Sequence, residues 1–266
     1  MQGILPAVKL SVVIITQDEE ANLPRTLESV LPLVKDGKGE IIVIDSGSTD
    51  RTIDIARSYG ANVFVELWKG YAAQKNLALE KASGEWILSL DADESIEPRL
   101  APEIQAAIED SDKRHAGFWI SRKNFFLGHW MRRGGYWPDP KLRLFRRGAA
   151  KFEDRAVHED AQLTAGISGR LQHALIHYSY PTLSDYIDHM NRYSSLGAEM
   201  LAKQGRSGFS VINIAFRPFF TFVYNYFFRL GFLDGREGLL LHLYHAVYVS
   251  WKYAKAWELQ RGRPSR

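Results

Sequence analysis

The fold is decided by the stretch Glu85-Trp86-Ile87-Leu88-Ser89-Leu90-Asp91-Ala92-Asp93-Glu94. Its apolar part is typical of a buried β-strand, and its acidic part predicts carboxylates at the end of that strand. Asp91 and Asp93 are two residues apart, so an extended backbone would place both on one face. Such a pair suits a hard divalent cation shared with substrate phosphates. The alternative for so short a pattern is a surface turn after a strand.

Strands and helices alternate over the first 110 residues. Short β-branched runs occur at Leu10–Thr16, Glu40–Asp45 and Asn62–Glu66. Segments of helical periodicity separate them, which predicts a largely parallel sheet with right-handed crossovers. Ligands bind at the carboxyl edge of such sheets, so the residues at three strand ends, Thr16, Asp45 and Asp91, are expected to line one crevice.

The sequence excludes the common glycine-rich phosphate loops in this region. Neither G-x-G-x-x-G nor G-x-x-x-x-G-K-[ST] occurs there. Phosphates would therefore be held by a metal and by side chains, among which Lys75 is a candidate on the helix that also carries Asn76. The alternative is that Lys75 is an ordinary solvated helix lysine.

Composition bounds the class of protein. The 266 residues are 45% hydrophobic, which is enough for a substantial core. The absence of cysteine excludes disulfides and cysteine-ligated zinc, and fits a reducing compartment. The first nine residues do not have the pattern of a signal peptide, so we expect no export.

Charge is distributed unevenly along the chain. From Lys203 onward there are ten Lys or Arg against three Asp or Glu, whereas the whole chain has a net charge of +3. A basic and aromatic C-terminal part suits an anionic surface, either membrane or nucleic acid. The alternative is a solvated basic tail.

The motifs of the first half occur in a familiar order and spacing: Leu10–Thr16, Asp45-Ser46-Gly47-Ser48-Thr49-Asp50, Lys75-Asn76 and Asp91-Ala92-Asp93. Over about residues 8 to 180 the chain resembles an inverting family 2 glycosyltransferase with the GT-A fold. The resemblance implies an α/β fold, with a mixed, mostly parallel, Rossmann-like sheet flanked by helices. It also implies a nucleotide-sugar donor and Mg²⁺ or Mn²⁺.

The resemblance further implies roles for individual residues. Asp45 would read the base, Asp91 would lie near the ribose, and Asp93 would bind the metal through the diphosphate. The candidate donor-binding residues are Thr16, Glu19, Asp45, Ser48, Lys75 and Asp91, and the candidate metal ligands are Asp93, Asp91 and His177. The family often has Asn then Glu after the Thr, whereas Thr16 is followed by Gln17-Asp18-Glu19-Glu20, so contacts by Glu19 or Glu20 stay open.

Three later motifs resemble one branch of this family. They are Trp137–Arg147, Val157-His158-Glu159-Asp160 and His177-Tyr178-Ser179-Tyr180. They are similar to the bacterial lipopolysaccharide core glycosyltransferases of the β-1,4-glucosyltransferase type. This similarity implies transfer of a hexose, glucose, from a UDP-sugar to a core sugar such as a heptose. The runner-up acceptor is a polyprenyl phosphate or a lipid-linked oligosaccharide.

The similarity also suggests the catalytic base. We expect Glu159 to take the proton of the acceptor hydroxyl, with Asp160 as the runner-up, because the family places an acidic residue here. If this segment is extended, only one of the two faces the donor; the alternative is that both lie on a solvated loop. His158 would contact acceptor or phosphate, and His177 would be a metal ligand or a proton partner, unless each is a structural histidine.

The basic stretch after Trp137 has two compatible interpretations. Arg143 and Phe145 alternate with Leu142 and Leu144, which predicts a strand with one polar face. The functional interpretation is capture of donor or acceptor phosphates by arginine side chains. Proteins of two other classes remain alternatives: a non-catalytic module that binds nucleotide sugar or nucleic acid, and, ranked third, a nucleotidyltransferase.

The C-terminal part differs in character from the rest, so we expect a GT-A domain over residues 1–182 and a helical extension over 183–266. Within 209–232, Arg217 and Arg229 bracket an apolar aromatic run too short to span a bilayer. Short helices of this kind lie in the membrane interface. We expect a cytoplasmic protein bound peripherally to the anionic cytoplasmic face of the inner membrane, without a nucleic-acid partner. The alternative is a helical subdomain or a dimer contact.

Overall fold

The first half of the chain folds as alternating strands and helices, as its periodicity predicts. The computed structural model describes residues 8–109, 114–153, 160–206 and 208–261. The strands of this half are β1 (Leu10–Thr16), β2 (Gly39–Asp45), β3 (Asn62–Val65) and β4 (Trp86–Asp91). The helices between them are α1 (Leu23–Val34), α2 (Thr52–Ser58) and α3 (Tyr71–Lys81).

Parallel pairing joins these four strands in the order β3-β2-β1-β4. In this register Thr16 lies opposite Asp45, and Ile15 lies opposite Asp91. The three strands therefore end at the same level of the sheet, which brings their polar terminal residues to one edge as the sequence predicts.

The second half adds further strands, most of which extend the same sheet. These elements are β5 (Glu94–Ile96), α4 (Leu100–Glu109), β6 (His115–Phe126), β7 (His129–Trp130), β8 (Asp139–Arg146), β9 (Ala150–Phe152), β10 (Ala161–Leu163) and β11 (Ile167–Tyr180). The main sheet has the order β3-β2-β1-β4-β8-β6-β11-β5, and β9 pairs with β10 separately. β8 is antiparallel to β4, and β11 is antiparallel to β5. The mixed α/β sheet flanked by helices confirms the predicted fold class.

The apolar runs of the parallel strands are continuous because both faces of the sheet are covered. Val12 and Ile14 pack with Leu27 of α1 in one core, whereas Val13 packs with Ala78 of α3 in the other. Alternate residues of β1 thus enter different cores.

The C-terminal helices begin with α5 (Leu183–Lys203), whose first turn carries a capping box formed by Thr182 and Asp185. Next is α6 (Arg217–Val223), flanked by π-helical turns at Ile212–Phe216 and Tyr224–Phe228. A 3₁₀ turn precedes α7 (Gly235–Arg261).

The described residues group into two units. One contains those within 8–122, 140–153 and 160–177, and the other those within 123–139 and 178–261. Phe126, Met131, Tyr186 and Leu241 form the apolar cluster of the second unit. The domain boundary at residue 182 stays a prediction. None of the helices in the described ranges is both long and apolar enough to cross a bilayer.

Candidate active site

The ends of β1 and β2 are joined by the carboxylate of Asp45. Thr16 Oγ1 donates to Asp45 Oδ2 at 3.0 Å, and Asp45 Oδ1 accepts the backbone N–H groups of Gly47 and Ser48 at 2.9 and 2.8 Å. Asp45 is 0% exposed. Its carboxylate therefore shapes the loop after β2, and its predicted contact with a base stays a prediction.

The loop after β1 is hydrogen-bonded to the loop after β2. Asp18 Oδ1 accepts from the backbone N–H of Thr49 at 2.8 Å, and the backbone N–H of Asp18 donates to Ser48 Oγ at 2.8 Å. The backbone N–H of Glu19 donates to Thr52 Oγ1 at 2.7 Å. Ser48, a candidate for donor binding, is thus part of the link that fixes both loops.

Glu19 lies close enough to Asp91 and Asp93 for their charges to affect its pKa. Burial raises the pKa of Glu19, the hydrogen bond from Asn22 Nδ2 at 2.9 Å opposes this rise, and the negative charges of Asp93 and Asp91 add to it. Glu19 is therefore a third carboxyl group near the acidic pair, contributed by a different loop.

Asp91 is held between two buried cations. Lys75 Nζ lies 2.7 Å from Asp91 Oδ1, and Arg143 Nη2 lies 2.6 Å from Asp91 Oδ2. Burial disfavours the charged carboxylate, but Arg143 and Lys75 outweigh this effect and hold the pKa of Asp91 well below its usual range. Lys75 is only 7% exposed, so the alternative of a solvated helix lysine was wrong.

Glu94, to which no role was assigned from the sequence, extends this ion-pair network. It is 0% exposed, and its Oε1 lies 2.6 Å from Arg143 Nη2 and 3.0 Å from Arg122 Nη1. Its Oε2 accepts from the backbone N–H of Asp91 at 3.1 Å. Glu94 therefore fixes the backbone of Asp91 and orients Arg143. One indication of this role was open to sequence reasoning, because Glu94 is an acidic residue that begins a strand. Acidic residues are rarely buried unless they are paired.

Asp93 pairs with His177. The backbone turns at Ala92 and Asp93, so the Asp91–Asp93 segment is not extended. Asp93 Oδ2 lies 3.2 Å from His177 Nε2, because β11 pairs with β5 with His177 opposite Glu94. Burial raises the pKa of Asp93, but the charge and hydrogen bond of His177 outweigh it, and the pKa is lowered overall.

The helix α3 contributes more than Lys75. Gln74 is fully buried, and its Nε2 donates to Ser46 Oγ at 2.9 Å, while its Oε1 makes no hydrogen bond in the described part of the chain. Asn76 exchanges two hydrogen bonds of 2.9 Å with the backbone of Phe152. Asn76 thus ties α3 to β9, and the motif that contains it positions Lys75.

Only one of the two expected base candidates falls within the described residues. Asp160 Oδ1 lies 2.8 Å from Lys141 Nζ and is partly exposed. Glu159 and His158 lie outside the described residues, so their predicted roles stay predictions.

The arginines of the basic stretch serve different purposes. Residues 142–145 of β8 are all buried, so the expected polar face of this strand was wrong. Arg143 contacts the acidic network, whereas Arg146 pairs with Glu85 at 2.6 Å and lies 4.4 Å from the ring of Trp86. Arg143 thus belongs to the site, whereas Arg146 lies opposite Trp86, where β4 begins.

The residues at the carboxyl edge of the parallel strands fit a divalent cation whose coordination is completed by substrate. Among the described residues no three His, Asp or Glu side chains form a ready metal cluster. Asp91 has both oxygens engaged by cations. Asp93 has one oxygen next to His177, and its Oδ1 accepts no hydrogen bond from the residues described. One carboxylate beside an imidazole suits a cation that takes its other ligands from phosphates and water.

Comparisons with known proteins agree with this geometry. The model of Glycosyl transferase family 2 matches residues 11–169. The chain is 29% identical over 269 residues to lipopolysaccharide core biosynthesis glycosyltransferase LpsC of Rhizobium meliloti, covering 96% of this chain and 94% of the relative. It is 30% identical over 260 residues to uncharacterized glycosyltransferase RT0209 of Rickettsia typhi, covering 94% and 87%.

A solved structure shows the same fold. It is the mannosyltransferase PcManGT from Pyrobaculum calidifontis in complex with GDP-Man and Mn²⁺, with a TM-score of 0.56, 15% identity, and coverage of 96% of this chain and 88% of that chain. The family match covers more than half of the chain and includes the strands that carry Thr16, Asp45 and Asp91. The chain therefore belongs to glycosyl transferase family 2 and is a glycosyltransferase.

Proposed function

We propose that this enzyme transfers glucose from UDP-glucose to a sugar of the lipopolysaccharide core, such as a heptose, with inversion at the anomeric carbon. The similarity to LpsC along nearly the whole of both chains supports the acceptor class. The single observation that supports a nucleotide-sugar donor is the ionised Asp91, held by Lys75 and Arg143 beside the Asp93–His177 pair.

Lys75 is suited to bind the donor diphosphate. Its ammonium group has three donors, of which one contacts Asp91 in the described structure. The ring of Phe152, 5.3 Å away, limits its movement. Lys75 can therefore hold Asp91 and a phosphate oxygen together, and so position the leaving group for displacement.

We assign Mg²⁺ or Mn²⁺ to Asp93, assisted by His177. When bound, the metal would neutralise the charge that develops on the leaving diphosphate. The mannosyltransferase of similar fold contains Mn²⁺. Asp91 is a weaker candidate for a ligand in this scheme, because each of its oxygens already contacts a cation.

The acceptor hydroxyl requires a base on the side opposite the leaving group. We assign this role to Glu159, with Asp160 as the runner-up. The contact between Asp160 and Lys141 favours Glu159, because it gives Asp160 a structural partner. Attack in one step inverts the configuration of the sugar.

A polyprenyl phosphate or lipid-linked acceptor is the second candidate. A phosphate acceptor is already ionised and needs less base catalysis than a hydroxyl. Glu159→Gln should therefore reduce kcat by about a hundredfold or more with a sugar acceptor. A loss of less than about threefold would favour the phosphate acceptor.

We also propose that the C-terminal helices bind an anionic membrane surface on the cytoplasmic side. Large apolar side chains are exposed there, among them Ile212, Phe216, Phe219, Phe220, Tyr224, Phe227 and Phe228. Contiguous exposed apolar residues of this kind mark an interaction site. The double substitution Phe220→Ser and Phe228→Ser should reduce co-sedimentation with anionic vesicles, whereas Leu67→Ser, at an equally exposed position elsewhere, should not.

The deciding experiment is UDP release from a panel of UDP-sugars, with Mg²⁺ or Mn²⁺, with and without truncated lipopolysaccharide. Release from UDP-glucose that needs metal, rises with the lipid and is lost in Asp93→Ala supports the proposal. Turnover of another UDP-sugar in place of UDP-glucose would refute the donor assignment, and stimulation by polyprenyl phosphate alone would refute the acceptor.

A further inference from the structure

Two exposed aromatic side chains, Trp68 and Tyr71, lie where β3 is followed by α3. Val65, the last residue of β3, is opposite Asp45, so the segment after it begins level with the end of β2. Trp68 is 45% exposed, and Tyr71, the first residue of α3, is 36% exposed. Their ring centres are 4.7 Å apart and their planes meet at 87°. A perpendicular neighbour covers at most one face of a ring, so this aromatic pair presents indole surface to solvent.

Hydrogen bonds tie the segment after β3 to the loop after β2. The backbone N–H of Glu66 donates to the carbonyl oxygen of Asp45 at 2.8 Å. Gln74 Nε2 donates to Ser46 Oγ at 2.9 Å and to the carbonyl oxygen of Glu66 at 3.4 Å. Gln74 is fully buried and lies on the helix that Tyr71 begins. The aromatic pair is therefore held next to the end of β2.

The aromatic pair also lies next to the lysine that contacts Asp91. Tyr71 precedes Lys75 by four residues, so the two share a face of α3 and are separated by about 6 Å along the helix axis. Lys75 Nζ lies 2.7 Å from Asp91 Oδ1, and Ala78, one turn further along this face, is in the core. The face thus runs from the core past Lys75 to the aromatic pair. In a nucleoside diphosphate one ribose separates the base from the first phosphate, so phosphates at Lys75 would place the base near this pair.

The carboxylate of Asp45 has no acceptor position left for a base in the described structure. It accepts hydrogen bonds from Thr16 Oγ1, from the backbone N–H groups of Gly47 and Ser48, and from Ser48 Oγ. A carboxylate has about four lone-pair sites, and these contacts use all of them. A base at this edge of the sheet would therefore gain affinity through its faces rather than through Asp45.

An exposed indole beside a lysine suited to phosphate matches a ligand in which a planar ring is joined to phosphates. We propose that Trp68 stacks on the nucleobase of the donor, and that Tyr71 positions the indole through their edge-to-face contact. Stacking on an aromatic side chain is available to every base, because every base has a π-face. The inference deepens the proposed function and rests on it for the position of the phosphates at Lys75.

The test is calorimetric titration of the full-length protein with UDP and Mn²⁺, without sugar or acceptor. Trp68→Leu keeps an apolar side chain but removes the ring, and should weaken UDP binding about fivefold or more. Trp68→Phe should bind UDP within about threefold of the wild type, because a phenyl ring also stacks. The matched control, Leu67→Ala, removes a more exposed apolar side chain of the same segment and should bind UDP as the wild type does. Circular dichroism melting verifies that each variant is folded.

Pyrophosphate with Mn²⁺ separates the contribution of the base from that of the phosphates. It should bind equally to the wild type and to Trp68→Leu, because it has no base. Equal UDP binding by these two proteins would overturn the proposal, and so would a loss of pyrophosphate binding as large as the loss of UDP binding. A wild-type protein that binds UDP no more tightly than pyrophosphate would overturn the stacking site and leave the roles of Lys75 and the metal intact.

The same variants distinguish this site from the choice of donor. A wild-type protein that binds GDP in place of UDP would refute the assignment of UDP-glucose. Weaker binding of GDP by Trp68→Leu would then support the stacking site, and unchanged binding would overturn it.

Discussion

His177 Nε2 lies 3.2 Å from Asp93 Oδ2, although Asp93 follows β4 and His177 lies near the end of β11. The antiparallel pairing of β11 with β5 produces this proximity, with His177 opposite Glu94. If Asp93 holds the proposed cation, an imidazole so placed would either ligate the same cation or orient the carboxylate by a hydrogen bond. We therefore expect His177 to affect metal affinity more than the transfer step.

His177→Gln should raise the Mn²⁺ concentration for half-maximal activity about tenfold or more, with a smaller effect on kcat at saturating metal. Metal titration of UDP release measures both. The control is His173→Gln on the same strand, where the histidine pairs with Glu103 instead. A variant that loses kcat while its metal affinity is unchanged would show that His177 has another role.

Arg143→Met should destabilise the fold by about 3–5 kcal/mol, because it removes the cation shared by the buried Glu94 and the partly buried Asp91. Urea unfolding followed by circular dichroism gives the free energy. On the same strand, Arg146→Gln breaks a pair with the exposed Glu85 and should cost only about 1 kcal/mol. Equal losses in the two variants would contradict the assignment of Arg143 to a buried network.

Gly84→Ala should cost about 1–3 kcal/mol of stability. A Cβ atom there would lie 2.6 Å from the backbone nitrogen of Ser11 and 2.8 Å from the carbonyl carbon of Leu10, so β1 would have to shift. Thermal unfolding measures the change. Gly208→Ala, where a Cβ meets nothing within 4 Å, should change stability by less than about 0.5 kcal/mol. A neutral Gly84→Ala would mean that the strand start is less tightly packed than described.

Stability should fall as the pH decreases from about 6.5 to about 4, because of His242. Burial and, to a smaller extent, the charge of His245 lower the pKa of this side chain to about 4, against the opposing effect of Asp234. The unfolded chain, with an ordinary histidine pKa, binds a proton in this range while the folded chain does not, so acid favours unfolding.

His242→Leu should flatten this pH dependence, as measured by urea unfolding at several pH values. Both ring nitrogens of His242 lack hydrogen-bond partners among the described residues, so an apolar side chain of similar size forfeits none. His129→Gln, at an exposed position, should retain the wild-type dependence. An unchanged slope in His242→Leu would assign the acid sensitivity to other groups.

The sequence was sufficient for those parts of the site that depend on local pattern. Thr16, Asp45 and Asp91 end strands whose apolar runs can be recognised in the sequence. Parallel pairing brings the ends of such strands together. Lys75 was named as a candidate because no glycine-rich phosphate loop occurs in this region, and it lies on α3, the helix between β3 and β4. Short-range periodicity fixed the side of the sheet on which each residue lies.

The partners of Asp91 and Asp93 on later strands were harder to predict. Arg143 reaches Asp91 because β8 pairs with β4, and His177 reaches Asp93 because β11 pairs with β5. The register between distant antiparallel strands is set by the packing of the whole sheet, which spacing along the chain does not encode. The same limit applies to Glu94, whose burial depends on arginines from two other strands.

The hydrogen bonds around Asp45 have a consequence for the thermodynamics of ligand binding. Ordering a backbone residue costs about 1–2 kcal/mol in conformational entropy. The loop after β2 is already ordered by Asp45 and by its links to Asp18, so this cost is met during folding rather than at association. A ligand that binds at this edge of the sheet meets a loop that is already ordered. Its binding free energy is therefore not reduced by the cost of ordering that loop.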